Sequence, residues 1–271
     1  MTRMTVRRTL SWRLLGVWLS AAVLAGFIAI PIGALIVRGV TQGDVLGTLT
    51  TPFVLAAVRL SLITSLIAVA VAIVFGTPAA YVLARYRFPG ARLVDTLFDL
   101  PVVLPPVVGG LALLVALGRR GPIGGPLDAA GVDVAFTTAA VVLAQVFVSV
   151  PFYVRAAKSG FESVDPRLEA VSATLGARGW RTFRRITVPL ALPSLAGGAI
   201  MCWARALGEF GATMMFAGNV VGRTQTMPLA ILEAMETDLN AALAISIILI
   251  AIAFTVLLTF KVLARVGGHP L

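Results

Sequence analysis

Six apolar runs recur along this chain, separated by polar segments: Leu14–Val37, Leu60–Leu83, Leu100–Leu117, Ala135–Val154, Ser194–Phe216 and Ala241–Phe260. Each approaches the roughly 20 residues that an α-helix needs to cross a bilayer. Lipid offers no hydrogen-bond partners, so a spanning segment must close its backbone bonds internally, which runs of this length do as helices. With 59% of its 271 residues apolar and a mean hydropathy of +0.98, the chain carries more apolar surface than a water-soluble domain can hide. The expected fold is an all-α membrane protein with six transmembrane helices. The first run follows a basic flank, as a signal peptide does. It is too long for that role and lacks a clean cleavage site, so it reads as a retained anchor, kinked at Pro31.

The basic residues orient the helices. With both termini cytoplasmic, 16 of the 22 Lys and Arg residues fall inside: in the N-terminal flank, between Arg85 and Arg92, from Arg155 to Arg185, and in the tail. Five (Arg38, Arg59, Arg119, Arg120 and Arg223) fall outside, and Arg205 lies within the fifth run. This is the positive-inside pattern, and it accounts for the net charge of +10 without a nucleic-acid partner. Catalytic classes drop out. Cys202 is the only cysteine and His269 the only histidine, so neither an intrachain disulfide nor a His/Cys metal centre can form. No Ser/His or Cys/His constellation is available for nucleophilic catalysis. A phosphate-binding GxxxxGK(S/T) loop is missing, since neither Lys158 nor Lys261 follows a glycine. The chain is expected to be no enzyme and to use no cofactor or metal. If ATP drives it, the ATPase is another polypeptide.

Two runs are irregular. The third opens LPVVLPPVVGG, with Pro101, Pro105 and Pro106 ahead of Gly109 and Gly110. It is expected to be broken or bent, which membrane depth tolerates only where protein or a water-filled cavity satisfies the freed backbone groups. A bend at a helix crossing and a bend lining a pathway both fit. The fifth run carries Arg205 and Glu209, i and i+4 on one helix. A lipid-facing charge at a helix centre costs about 2.5–3.5 kcal/mol, so both must face protein or water. Two readings stand side by side: an ion pair that locks or gates the helix, and transient contact of Arg205 with an anion. Gly208 and Gly211 flank the glutamate and permit close helix approach. Outside, Arg119–Asp133 and the longer Ala217–Asn240, with a short helix near Leu229–Met235, are candidates for an extracytoplasmic partner or plain connections.

Residues 155–193, RAAKSGFESVDPRLEAVSATLGARGWRTFRRITVPLALP, form an arginine-rich insertion between two apolar runs. Asp165 as N-cap and Pro166 in the first turn start a helix that runs to Leu175, and Gly176 stops it. A second helix runs from near Gly179 into Pro189. Val171, Ala173, Leu175 and Trp180 are wasted in water, which suggests a partner surface, packing beneath the loop, or an interfacial helix on lipid. The small residues Ala170, Ser172, Ala173, Gly176 and Ala177 favour close protein contact.

This insertion resembles the EAA loop of ABC-importer permeases, whose pattern is EAA, three residues, Gly, nine residues, Ile, any residue, Leu-Pro. Anchored on Gly176, nine residues lead to Ile186, and Val188-Pro189 stand in place of Leu-Pro. The EAA positions are then Ala170, Val171 and Ser172, with the glutamate displaced by one to Glu169. Three further stretches are similar to the molybdate branch of these permeases, with sulfate and tungstate permeases as close relatives: LPVVLPPVVGG, GRRGPIG, and the run from Ala204 through Gly208-Glu209-Phe210-Gly211-Ala212-Thr213 to Asn219 and Thr226.

The resemblance implies the type I ABC-importer permease fold, in the cytoplasmic membrane of a prokaryote. It divides the chain into residues 1–54 (flank, first helix and outer loop), a permease domain at 55–264 with its coupling loop at 158–193, and a tail at 265–271. Its partners would be two cytoplasmic ATPase subunits, an extracytoplasmic oxyanion-binding protein, a second copy of this chain and the lipid bilayer. Coupling to the ATPase would fall to Glu169, Ala170, Val171, Ser172, Leu175, Gly176, Ala177, Ile186 and Pro189. Pathway or gate residues would be Pro105, Pro106, Arg205, Gly208, Glu209, Phe210, Gly211 and Thr213. Arg119, Arg120, Asn219 and Thr226 would meet the binding protein.

Overall fold

The computed structural model describes residues 12–42 and 45–266. A long helix α1 (Trp12–Gln42) and a short α2 (Val45–Leu49) lead into α3 (Pro52–Arg85). Next come α4 (Ala91–Val103), α5 (Pro106–Leu117), the short α6 (Gly124–Ala129) and α7 (Thr138–Ser163). α8 (Pro166–Thr174), α9 (Gly179–Thr182) and a π-helical turn (Phe183–Thr187) run into α10 (Val188–Leu207). α11 (Gly211–Ala217), α12 (Met227–Thr237) and α13 (Leu239–Val266) complete the order. Five stretches are long and apolar enough to cross a membrane, and the bent pair α4–α5 makes a sixth. Arg3, Arg7 and Arg8 of the expected N-terminal flank, and the tail beyond Val266 with His269, lie outside the described residues.

The centre of the bundle is α3, α7 and α10. α3 buries small residues at near-fourfold spacing, Ala57, Ser61, Ala68, Ala72, Gly76 and Ala80. Such a stripe lets neighbouring backbones approach closely, which is how membrane helices gain packing contacts without a hydrophobic driving force. α7 answers with Ala140, Ala144, Ala157 and Gly160. Tyr153, Phe161 and Cys202 fill the space between these helices, and a second cluster joins α3, α10, α12 and α13 through Val54, Leu207, Met227 and Ile245. α1 stands apart. It is continuous across Pro31, rests on α13 where Gly39 meets Ile247, and turns Trp18, Phe27 and Ile30 outward, as a lipid-facing helix does.

The helix ends depart from expectation in three places, each for a physical reason. α7 does not stop at Val154 but continues to Ser163. Arg155 and Lys158 therefore belong to the helix, where Asp99 and Asp95 of α4 pair with them. The second loop helix does not end at Pro189 either. That proline lies inside a helix continuous from Gly179 to Leu207, just after the π-turn, whose altered hydrogen bonding accommodates the missing N–H. The fifth span ends at Leu207 rather than Phe216, and Gly208–Phe210 separate it from α11. The third span is broken as its prolines predict: Leu104 and Pro105 are extended, and the axes of α4 and α5 differ by 117°.

Candidate functional site

At the end of the bundle where α3 and α7 finish, Asp165 caps α8 by accepting a hydrogen bond from the Arg167 N–H at 2.9 Å. Gly176 ends the helix with φ +78°, a left-handed conformation that costs a residue with a side chain roughly 1–2 kcal/mol. The Ala177 N–H returns to the Ser172 carbonyl at 3.1 Å, closing the last turn. α8 and α9 are then tied from within. The hydroxyls of Ser172 and Thr182 lie 2.9 Å apart. Glu169 Oε1 accepts from Arg85 Nη2 at 3.0 Å and from Thr187 Oγ1 at 2.7 Å, while Arg85 also donates to the Val164 carbonyl at 2.9 Å. One carboxylate oxygen thus joins α8, the end of α3 and the π-turn.

This corrects two expectations about the loop. Ser172 is buried and the Glu169 side chain is only 20% exposed, so both face into the chain rather than toward a partner. Among the side chains that point outward, Leu168, Val171, Trp180 and Leu175 are large and apolar, the last 82% exposed. Trp180 stacks on Phe183 with ring centroids 5.5 Å apart. Ala170 and Pro189 are exposed, and Ala177 and Ile186 are half-buried. Apolar side chains crowded on a polar protrusion mark a contact surface.

The two irregular segments meet in space. Glu209 lies beyond the end of α10, not one turn along it, because the helix stops at Leu207. It still reaches Arg205: Oε2 is 2.7 Å from Nη1, an ion contact without hydrogen-bond alignment. Its other oxygen accepts the Ala212 N–H at 2.8 Å, placing a carboxylate at the start of α11, where the helix dipole favours it. The Glu209 side chain is 1% exposed and that of Arg205 28%. α11 lies directly on α5. A Cβ at Gly110 would stand 2.7 Å from Ala212 Cα, and one at Gly211 3.1 Å from Pro106 Cβ. Pro106, Gly211 and Glu209 are therefore parts of one junction, with Pro105, Gly208 and Phe210 exposed beside it. Thr213 is fully buried, so its hydroxyl lines no open passage in this conformation.

The opposite end of the bundle is reached along α7, 26 residues long and hence about 39 Å at the helical rise. There Arg119, Arg120, Asp133, Phe136 and Arg223 line an open cavity of about 580 Å³. Arg119 holds Asp133 with two parallel hydrogen bonds of 3.0 Å and lies 3.5 Å from Asp128. The hydrogen bond from Arg119 holds the Asp133 carboxyl below the usual carboxylate range. Arg119 and Arg120 are exposed. Thr226 is not available as a docking residue, being fully buried at the start of α12. Asn219 donates to Glu233 at 2.9 Å and so supports its own loop. Arg223, which sequence reasoning assigned no role, joins Arg119 and Arg120, and its carbonyl accepts from Thr138 Oγ1 at 2.8 Å. About 100 residues separate these arginines, and nothing local in the sequence links them.

Residues 72–265 match the family described as binding-protein-dependent transport system inner membrane component. The chain belongs to that family. It is 44% identical over 243 residues to the molybdenum transport system permease protein ModB of Mycobacterium tuberculosis, covering 89% of this chain and 92% of the relative. It is 37% identical over 240 residues to the molybdate/tungstate transport system permease protein WtpB of Thermococcus kodakarensis, covering 88% and 90%. In fold it is similar to a bacterial ABC transporter involved in the import of the acidic polysaccharide alginate, with a TM-score of 0.71 at 17% identity, over 94% of this chain and 95% of the other. The type I ABC-importer permease fold expected from the sequence is thus the one observed. As a membrane component of a binding-protein-dependent transport system, the chain works between two aqueous faces. Its polar geometry is concentrated at the two ends of α7 and at the junction of the breaks, all within or beside the matched stretch, which leaves out α1 and α2.

Proposed function

We propose that this chain is the permease subunit of an ATP-driven importer that carries molybdate across the cytoplasmic membrane by alternating access. The observation that carries this reading is the 44% identity to a ModB permease over 89% of the chain. Two copies of the chain would pair, with two cytoplasmic ATPase subunits below and an oxyanion-binding protein outside. Both termini are cytoplasmic in this reading, on the strength of the 16 basic residues against five. Residues 55–264 act as the permease domain, 1–54 as a peripheral anchor and 265–271 as a tail.

The protrusion of α8 and α9 seats in the ATPase through Leu168, Val171, Leu175 and Trp180. Movement of that protrusion reaches α3 through Glu169 and Arg85, and α10 through the π-turn, so ATPase closure becomes a rigid-body change in the bundle. The junction of Pro106, Gly211 and Glu209 acts as the gate, and the rim at Arg119 and Arg120 faces the binding protein. Selectivity resides mainly in that binding protein, because a pathway that held the anion tightly could not release it. Similarity to WtpB supports tungstate as a second cargo, since the two anions share shape and charge.

The test is uptake of labelled molybdate by cells lacking this chain and by cells in which it is restored, with tungstate and sulfate as competitors. Restoration of molybdate uptake, competed by tungstate more strongly than by sulfate, is expected. Uptake that is indifferent to the chain sinks the reading. Reporter fusions after Pro89 and Gly179 should report cytoplasm, and fusions after Gly125 and Arg223 the outside.

A further inference from the structure

We infer that the cavity bounded by Arg119, Arg120 and Arg223 is a reception site for a tetrahedral oxyanion dianion, at the end of the permease opposite the coupling loop. The inference rests on the reading of the chain as an oxyanion importer and adds a site which that reading does not itself require.

Charge distribution is the first support. A membrane protein keeps arginine off its outer face, and this chain has only five basic residues there. Three of the five line one cavity, although they come from two segments about 100 residues apart. The packing of α11 on α5 is what brings those segments together.

Charge balance is the second. Asp133 and Asp128 are both engaged by Arg119. Arg120 and Arg223 have no carboxylate within ion-pair distance among the described residues. The cavity therefore keeps an excess of positive charge. Guanidinium groups present paired N–H donors whose spacing matches two oxygens of a tetrahedral oxyanion.

The third support is that the wall is built rather than incidental. The Arg223 backbone is pinned to the start of α7 by Thr138. Phe136, which also lines the cavity, has φ +59° and is the only non-glycine residue with positive φ among the described residues. Its N–H donates to the Phe216 carbonyl at 3.2 Å. Strained backbone of this kind persists where the surroundings over-determine it, and it clusters at ligand sites. A cavity of about 580 Å³ exceeds one tetrahedral anion, so the anion keeps part of its water and leaves easily, as transport requires.

The experiment uses the assembled permease–ATPase complex in nanodiscs, without binding protein. Its thermal stability is followed against molybdate and sulfate, with chloride as control at constant ionic strength. A saturable stabilisation by the dianions and not by chloride is expected. The double variant Arg120→Gln/Arg223→Gln should weaken it at least about tenfold, the order expected for a lost charge-assisted hydrogen bond, whereas Arg120→Lys/Arg223→Lys should retain most of it. A wild-type response identical for dianions and chloride, or a Gln double variant that binds like wild type, overturns the proposal. Affinity for the binding protein is measured in parallel on the same variants. Loss of docking with dianion binding intact would assign these arginines to a protein contact and also overturn it. Uptake by the unaltered system separates the two readings: molybdate uptake without binding at the cavity removes only the site, while a cavity that binds in a system that carries no oxyanion removes only the importer reading.

Discussion

Glu209 and Asp133 each hold an arginine, one inside the bundle and the other on its open rim. Glu209 is 1% exposed, with one oxygen on Arg205 and the other on the Ala212 N–H. Asp133 is half exposed and forms a two-bond fork with Arg119 beside an open cavity. In the interior, losing one partner strands the other charge away from water. On the rim, water takes the place of either partner at once. The same chemical pair is therefore enclosed in one place and open to solvent in the other, and beside the open one Arg120 and Arg223 have no ion-pair partner among the described residues.

The sharpest way to break this comparison is at the buried pair. Glu209→Gln keeps an acceptor for the Ala212 N–H and removes only the charge, while Arg205→Met removes the cation. Arg205→Met should destabilise the detergent-solubilised complex by about 3–5 kcal/mol and Glu209→Gln by less, because the Arg205 side chain left behind is 28% exposed, and the double variant should recover much of the loss. Strictly additive losses would mean the two side chains are not coupled. If Arg205→Met assembled normally yet transported poorly, Arg205 would belong to the pathway.

The half-buried strut comes next. Glu169→Gln weakens the contacts with Arg85 and Thr187 and should cost about 1.5–3 kcal/mol, with a fall in substrate-stimulated ATP hydrolysis. Loss of stability with full stimulation would show that the strut holds the loop without transmitting its movement. Gly176→Asp places a side chain at φ +78°, where an added Cβ meets nothing within the chain. Its cost to the fold should stay near 1–2 kcal/mol, while stimulated hydrolysis is abolished because the new carboxylate faces the partner. Unaltered stimulation would remove the docking role.

The smallest effect belongs to the rim. Asp133 has a folded-state pKa below its unfolded value, so what its pair contributes is fully present above the ordinary carboxylate range and is lost only as pH falls through the lowered value. Asp133→Asn should leave the melting curve unchanged from pH 6 to 8 and run parallel to wild type there. A gap that opens or closes within that window would show that Asp133 is coupled to another titrating group.

Much of this was legible because the signals are local. Asp165, Pro166 and Gly176 start and stop α8 by chemistry that needs no neighbour, and the prolines from Pro101 to Pro106 announce the broken third span. The sequence is silent where a distant partner decides the outcome. Arg155 and Lys158 looked like loop residues until Asp99 and Asp95 of α4 met them. The spacing of those aspartates, i and i+4, against basic residues i and i+3 was the available clue. Thr226 looked accessible because the packing of the following helix α12 against α3 and α13 leaves no mark on its own segment. Glu209 looked helical because Gly208 and Gly211 fit close helix packing as readily as a helix end, and Gly208 is the residue at which α10 stops. The convergence of Arg223 on Arg119 and Arg120 is a product of tertiary packing alone.

The π-turn at Phe183–Thr187 has a consequence that no single side chain expresses. A π-turn closes its hydrogen bonds over one more residue than an α-turn, and each residue of an α-helix advances about 100° around the axis. The extra residue is thus taken up within the wider turn, and the protrusion keeps the phase that one residue fewer of α-helix would give it. Deleting one residue between Phe183 and Thr187 should relax the turn to ordinary α-helix with Leu175 and Trp180 aimed as before, whereas deleting two should swing them about a quarter-turn around the α10 axis with every docking side chain still present. The aim of the coupling loop is stored as a residue count with one residue of slack, so a scan by substitution passes over it and a two-residue deletion finds it.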